Sequence, residues 1–310
     1  MSVLVIMMTS GCTKEVTIDI PGYEEQLVID GYIETGQPPI VLLSRSKEVY
    51  SPTDLNAFLS GFVSGAKVTV SDGTTTVQLD EICSDNLPPG SENLVAQLFG
   101  VPVNELANYK LCGYTSFNSA IWGQIGKTYS LKVEFEGKTY TSETSILPPT
   151  SLDSTYWKPD DGYTDRGYSW ATLTDPAGQY DAYRWQVKRT NLDASGAPID
   201  PTFTSTFNPV FDDEFFNGLT FDFSYENPNA KGPDVPEDYR FYYKLGDTVV
   251  IKLSKMDQNV YNFMEKKYTQ LATAGNPFAT PTNIPNNITG GALGVWAGYS
   301  PSFDTLICQP

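Results

Sequence analysis

No histidine occurs anywhere in this chain of 310 residues. Its absence excludes Ser-His-Asp and Cys-His catalysis and nearly every zinc site. Catalysis would then rest on paired carboxylates or a Ser-Lys arrangement, and the 37 Asp and Glu residues show no spacing that marks such a pair. The expectation is a protein that is not an enzyme and has no cofactor. Basic residues are scarce too: 20 Lys and Arg leave a net charge of −17. Nucleic acid is excluded as a partner, because phosphate binding needs a basic face. The average field also opposes anionic polysaccharide and lipid headgroups. Long apolar runs are missing as well. Past Met8 no stretch is apolar enough to span a bilayer, so any membrane link has to come from a lipid.

What is present begins at the N-terminus. Val3 to Met8 is a short apolar run, and the small residues Thr9-Ser10-Gly11 lead into Cys12. Secretory cleavage needs small side chains beside the scissile bond, and a cysteine directly after them reads as a bacterial lipobox. Residues 1–11 are thus expected to be a lipoprotein signal peptide, with Cys12 as the lipidated residue and 12–22 as anchor and tether. No Lys or Arg precedes Val3, so the true start is expected upstream. With Cys12 lipidated, Cys83, Cys112 and Cys308 remain in an oxidising compartment. Three cysteines permit three different single bridges. Cys83 and Cys112 are the favoured pair, because both sit in one candidate domain and bracket its irregular segment.

Beyond the tether the chain reads as strands separated by turns, with 25 Gly and 22 Pro. Residues 66–71 and 74–79 alternate around Asp72-Gly73, which is expected to form a type I′ hairpin turn. A second hairpin, 128–142, places Tyr129, Leu131, Val133 and Phe135 on one face. Pro148-Pro149 marks a joint, since proline stops strand pairing. The expectation is a mainly β protein of two β-sandwich domains of immunoglobulin or fibronectin type, 23–147 and 150–310. In the second domain, 166–173 and 181–188 read as paired strands across Asp175-Pro-Ala-Gly178. One helix stands out at about 257–273: Asp257 caps it, and Val260, Tyr261, Met264, Tyr268 and Leu271 share a face. Gly275-Asn276-Pro277 ends it.

Between Asp212 and Asp238 the tract is acidic and interleaved with rings. Phe215, Phe216, Phe221, Phe223 and Tyr225 are its candidate ligand- or partner-binding residues, able to stack on sugar rings or to dock on a protein rim. The competing reading buries the rings and leaves the acids in water. Asp160-Asp161-Gly162-Tyr163-Thr164-Asp165 has oxygen ligands at short spacing but no distal bidentate Glu, so a plain turn is expected rather than a calcium loop. No metal site is expected. Asn287-Ile288-Thr289 is a formal glycosylation sequon.

Gly275-Asn-Pro-Phe278, Pro281-Thr-Asn-Ile284, Asn287-Ile288 and Gly290-Gly-Ala-Leu-Gly-Val-Trp-Ala-Gly-Tyr-Ser300 resemble the Bacteroidota lipoproteins grouped as domain of unknown function 4249. So do Cys12-Thr-Lys-Glu15, Leu27-Val-Ile-Asp-Gly-Tyr-Ile33, Pro38-Pro-Ile40 and Gly65-Ala-Lys-Val-Thr-Val-Ser-Asp-Gly73. The resemblance implies an outer-membrane lipoprotein with β-sandwich domains and, as partner, a TonB-dependent outer-membrane receptor whose transport it assists. It implies no catalytic residue, and it implies that Trp296 belongs to the core. Lys14-Glu15 after the lipidated cysteine favours the cell surface. Two functional classes stay open: an accessory binding subunit of an importer, and a structural or adhesive surface lipoprotein without a transport role.

Overall fold

Runs of alternating apolar and polar residues become strands with one buried face. The computed structural model describes residues 24–47, 59–99, 101, 103–233, 235–273 and 283–309, and the chain in it is mainly β, built as packed sheets. An eight-stranded sheet runs in the order β12-β11-β15-β16-β1-β2-β6-β5. Its first-half strands are β1 (Leu27–Glu34), β2 (Ile40–Arg45), β5 (Asp80–Cys83) and β6 (Cys112–Thr115). From the second half come β11 (Ala182–Arg189), β12 (Thr204–Asp212), β15 (Thr248–Met256) and β16 (Leu293–Ile307). Two four-stranded sheets complete the layers. One holds β3 (Lys67–Ser71), β4 (Thr76–Gln78), β7 (Thr128–Phe135) and β8 (Lys138–Ser145). In the other, β10 (Arg166–Thr174) lies between β9 (Ser154–Pro159) on one side and β13 (Thr220–Tyr225) with the short β14 (Tyr243–Lys244) on the other.

Each small sheet encloses a core against the large one. In the first core Ile29, Leu43, Val70, Leu131 and Trp296 pack together. In the second, Trp185, Ile251 and Leu253 meet Trp157, Leu173 and Tyr243. The joint after Ile146 lies between them, but Ile288, Ala292 and Trp296 from the end of the chain belong to the first core. Strand β16 explains this. It pairs in parallel with β1 through Leu293–Tyr299 and antiparallel with β15 through Ser300–Ile307, so a single strand serves both sandwiches. Its glycines are steric requirements. Gly294 has φ +117° and a Cβ there would sit 1.9 Å from the Ile29 carbonyl oxygen, an approach open only to glycine.

Two local expectations change. Segments 166–173 and 181–188 are not paired: β10 and β11 belong to different sheets and face each other across the second core. The connection carries Asp175 and Asp181, both buried, and crosses between layers instead of closing a hairpin. The Asp72-Gly73 turn is not type I′, because only Gly73 has positive φ. Asp72 instead accepts the backbone N–H groups of Thr74 and Thr75 through its carboxylate, the local competition typical of this side chain. The type I′ signature of two positive φ values falls on Glu136 and Gly137.

The α-helices that lie wholly within the described residues are α1 (Glu92–Phe99) and α2 (Gln258–Thr273). Asp257 caps α2, its Oδ1 accepting the Val260 N–H at 3.0 Å. Val260 and Met264 are buried, whereas Leu271 of the same stripe is exposed; periodicity sets the direction of a side chain, not whether a neighbour covers it. The stop signal at 275–277 lies outside the described residues, as does Cys12 with its tether. Among the described residues no helix is long and apolar enough to cross a membrane.

Candidate functional site: an aromatic cradle

Strand β13 alternates, so Phe221, Phe223 and Tyr225 share one face while Asp222 and Ser224 take the other. The turn before it starts at buried Asp213, whose backbone carbonyl accepts the N–H groups of Phe216 and Asn217. Its carboxylate accepts the Asn217 side-chain amide at 2.6 Å. That turn lays Phe216 over Phe221, with ring centroids 4.2 Å apart. From β12 comes Phe211, at 5.4 Å from Phe223. Below them β11 supplies a floor of fully buried Tyr183 and Trp185. Trp185 lies 5.3 Å from both Phe223 and Tyr225, and its Nε1–H has no acceptor.

Phe207, Phe211, Phe216, Phe221, Phe223 and Tyr225 thereby line a cavity of about 440 Å³ that opens to solvent. It lies where β12 and β13, the edge strands of two different sheets, come together. Two hydrogen bonds fix the mouth. The Phe207 N–H donates to Glu226 Oε1 at 2.7 Å, and the Tyr225 hydroxyl donates to the Asn208 carbonyl at 3.2 Å. Asn208 has φ +46°, and opposite it the pairing of β11 with β12 shifts register between Arg184 and Gln186. An irregularity of this kind re-aims side chains. Here it accompanies a Phe207 that is 67% exposed. Burial, followed by the neighbouring Glu226, pushes the Tyr225 hydroxyl up, so it stays a neutral donor.

Four of the five ring residues marked in the sequence thus meet in one place. Phe215 does not: it is 86% exposed and stands outside the cradle. Phe207 and Trp185 were missed, since no spacing relates them to the 215–225 tract. Neither competing reading of the tract describes it fully. The rings are half-buried rather than sealed, and several acids are engaged rather than solvated. Asp212 accepts from the Tyr180 hydroxyl and Asp222 from Thr172.

The family model described as domain of unknown function 4249 matches residues 13–302. The chain belongs to this family. No curated protein and no solved structure matches it. In this family member the glycine-rich run of the last third has a structural account. Trp296 is fully buried, and its Nε1–H donates to the Tyr129 carbonyl at 2.9 Å. Asn287 clamps the Trp296 backbone from both sides: its amide nitrogen donates to the carbonyl and its Oδ1 accepts the N–H. The sequon amide is therefore spoken for.

The other marked residues are placed as follows. Cys83 and Cys112 face each other in the β5–β6 ladder and form a disulfide. With Glu81 they make a metal-like cluster, but bonded sulfurs are not thiolate ligands. Cys308 is a free, buried thiol that burial pushes up to about 12, which leaves it unreactive. The Asp160–Asp165 segment is a turn whose acids serve the protein. Asp160 accepts the Tyr242 hydroxyl, and Asp165 accepts Tyr239 and Arg166.

Proposed function

We propose that this protein is a lipid-anchored, surface-facing outer-membrane lipoprotein, held through Cys12. It acts as a non-enzymatic binding subunit of a TonB-dependent transporter, and the aromatic cradle is the surface that meets the receptor. The observation that carries this reading is an open apolar cavity flanked by edge strands that pair with no further strand among the described residues. Large half-buried rings concentrate binding energy at protein interfaces, and an unpaired strand edge offers backbone groups to an extended segment. Glu226 and the acids beside the cradle suit a receptor loop carrying basic residues.

The test uses the lipidated chain in its native envelope. Affinity purification is expected to recover an outer-membrane barrel. Replacing Phe207 at the mouth and the exposed Phe215 just outside it, in the F207S/F215S variant, is expected to lower that recovery about tenfold while shifting stability by no more than ~0.5 kcal/mol. Purification that yields the wild-type protein but no barrel overturns the transporter role and leaves the structural or adhesive one. Retained palmitate labelling in a Cys12→Ser variant overturns the anchor.

A further inference from the structure

The eight-stranded sheet has a second face, opposite both cores. On β11, Tyr183, Trp185 and Val187 enter the second core, so Arg184 and Gln186 point the other way. Helix α2 covers part of that outer face, packing Val260 and Met264 against Val295, Ala297 and Tyr299. Beside the helix is a cleft of about 450 Å³ lined by Tyr32, Glu34, Arg184, Gln186, Lys252 and Tyr299, with Thr202, Phe203 and Thr204 along one wall. A smaller pocket of about 200 Å³ adjoins it, and the two share Tyr32, Leu98, Arg184 and Tyr299.

The charges in this cleft do not cancel. Lys252 is held by Glu34 at 2.5 Å, and Lys267 lies 3.8 Å from Asp30. Arg45, Arg166 and Arg189 each have a carboxylate partner. Arg184 has none among the described residues. Its Nη2 donates to the Ser205 hydroxyl at 3.2 Å, and its Nε–H is buried without an acceptor. A guanidinium stays charged at any ordinary pH; that of Arg184 is half-buried, 5.7 Å from the Tyr299 ring centroid, and a charge drawn out of water without a counter-ion is costly. In a chain of net −17, this is a local positive site inside an acidic protein. Neutral donors surround it. Burial pushes the Tyr32 hydroxyl up to about 12, so it keeps its proton, and Gln186, Thr202 and Thr204 add an amide and two hydroxyls.

We propose that this cleft is a binding site for a small hydroxylated organic acid whose carboxylate is seated against Arg184. The volume fits a ligand of sugar size. A single unpaired positive charge matches a monoanion, and guanidinium matches carboxylate in shape. A phosphate dianion would need a second free cation, and Lys252 is already held by Glu34. The hydroxyl and amide donors suit a polyhydroxylated body, and Phe203 and Tyr32 offer ring surface to its carbon skeleton. The cleft is separate from the aromatic cradle, so either assignment can fail alone.

The experiment is a calorimetric titration of the full chain with the monoanions glucuronate, galacturonate and gluconate, with glucose as the neutral counterpart of glucuronate. At least one acid is expected to bind and to raise the melting temperature with concentration, while glucose does not. An R184Q variant is expected to weaken that binding about tenfold or more, the loss of a charge-assisted hydrogen bond. Chemical-shift mapping on the wild-type chain is expected to place the acid at Tyr32, Gln186 and Tyr299. This mapping decides the matter even if R184Q fails to fold. No binding by any of the three acids, equal binding of glucose, undiminished binding by a folded R184Q, or shifts confined to the 207–226 cradle would each overturn the proposal.

Discussion

Around the first core the rings are shut in, while around the second they leave a mouth. Tyr129 and Trp296 are wholly buried, as are Tyr183 and Trp185, so the floors of the two sandwiches are alike. The difference lies at the edges. Beside β8, the segment before β16 closes the layer. Thr141 and Thr289 form a bridge with reciprocal backbone hydrogen bonds, and the Ser142 hydroxyl donates to the Asn287 carbonyl. Beside β12 and β13 the described residues supply no such strip. An edge covered by the protein's own backbone is architecture; the same edge left uncovered beside half-buried rings is a liability unless something docks there. The proposed docking surface therefore lies where the second sandwich stops short of closing.

The largest predicted effect tests that contrast directly. Trp296→Ala removes a sealed ring and the Tyr129 hydrogen bond, and is expected to cost about 3–5 kcal/mol. Phe223→Ala, at the half-open mouth, is expected to cost clearly less, about 1–2 kcal/mol, because part of its ring already meets water. Denaturant unfolding of both variants checks the order, and equal costs would erase the distinction between sealed and open. Next in size is the bridge that staples the 84–111 insertion to the first sandwich. Cys83→Ala/Cys112→Ala removes a cross-link spanning 29 residues of sequence and is expected to cost about 3 kcal/mol. A matching drop in thermal stability after reduction of the wild-type protein would confirm it.

The smallest effect is a pH dependence in the second half. Burial pushes the Asp200 carboxyl up, but Arg189, through its side chain and its backbone N–H, pulls harder and holds it below the usual carboxylate range. A folded-state value below the unfolded one stabilises at pH above the ordinary carboxylate range and is lost as pH falls through the folded value. Asp200→Asn is therefore expected to melt lower than wild type at neutral pH and to converge with it in acid. Melting curves across that window would show it, and parallel curves would argue against the pair.

Much of this architecture is written locally. The 128–142 hairpin, the Asp257 cap and the placement of Cys83 and Cys112 at either end of an irregular segment all follow from neighbours in sequence. What is not local was not legible. Alternation tells which residues of 166–173 and 181–188 are buried but not which strand lies beside them, and they proved to face each other across a core. Likewise, nothing in Leu27–Glu34 announces a parallel partner in Leu293–Tyr299. The cradle shows the same limit. Phe216 to Tyr225 could be marked from their clustering, but Phe207 joins them only because β12 ends one sheet where β13 ends another. Alternation along 181–188 is enough to put Arg184 on the face opposite Tyr183 and Trp185; its lack of a counter-ion depends on where every carboxylate falls in space.

Strand β16 has a consequence for how the molecule comes into being. Both cores wait on a strand that emerges last among those described, and its partner β1 lies more than 260 residues earlier in the chain. Closing so long a loop before the favourable contacts form makes folding slow, and neither half can be finished ahead of the other. The nascent chain thus stays open and pliable until its last strand arrives, and both sandwiches set together.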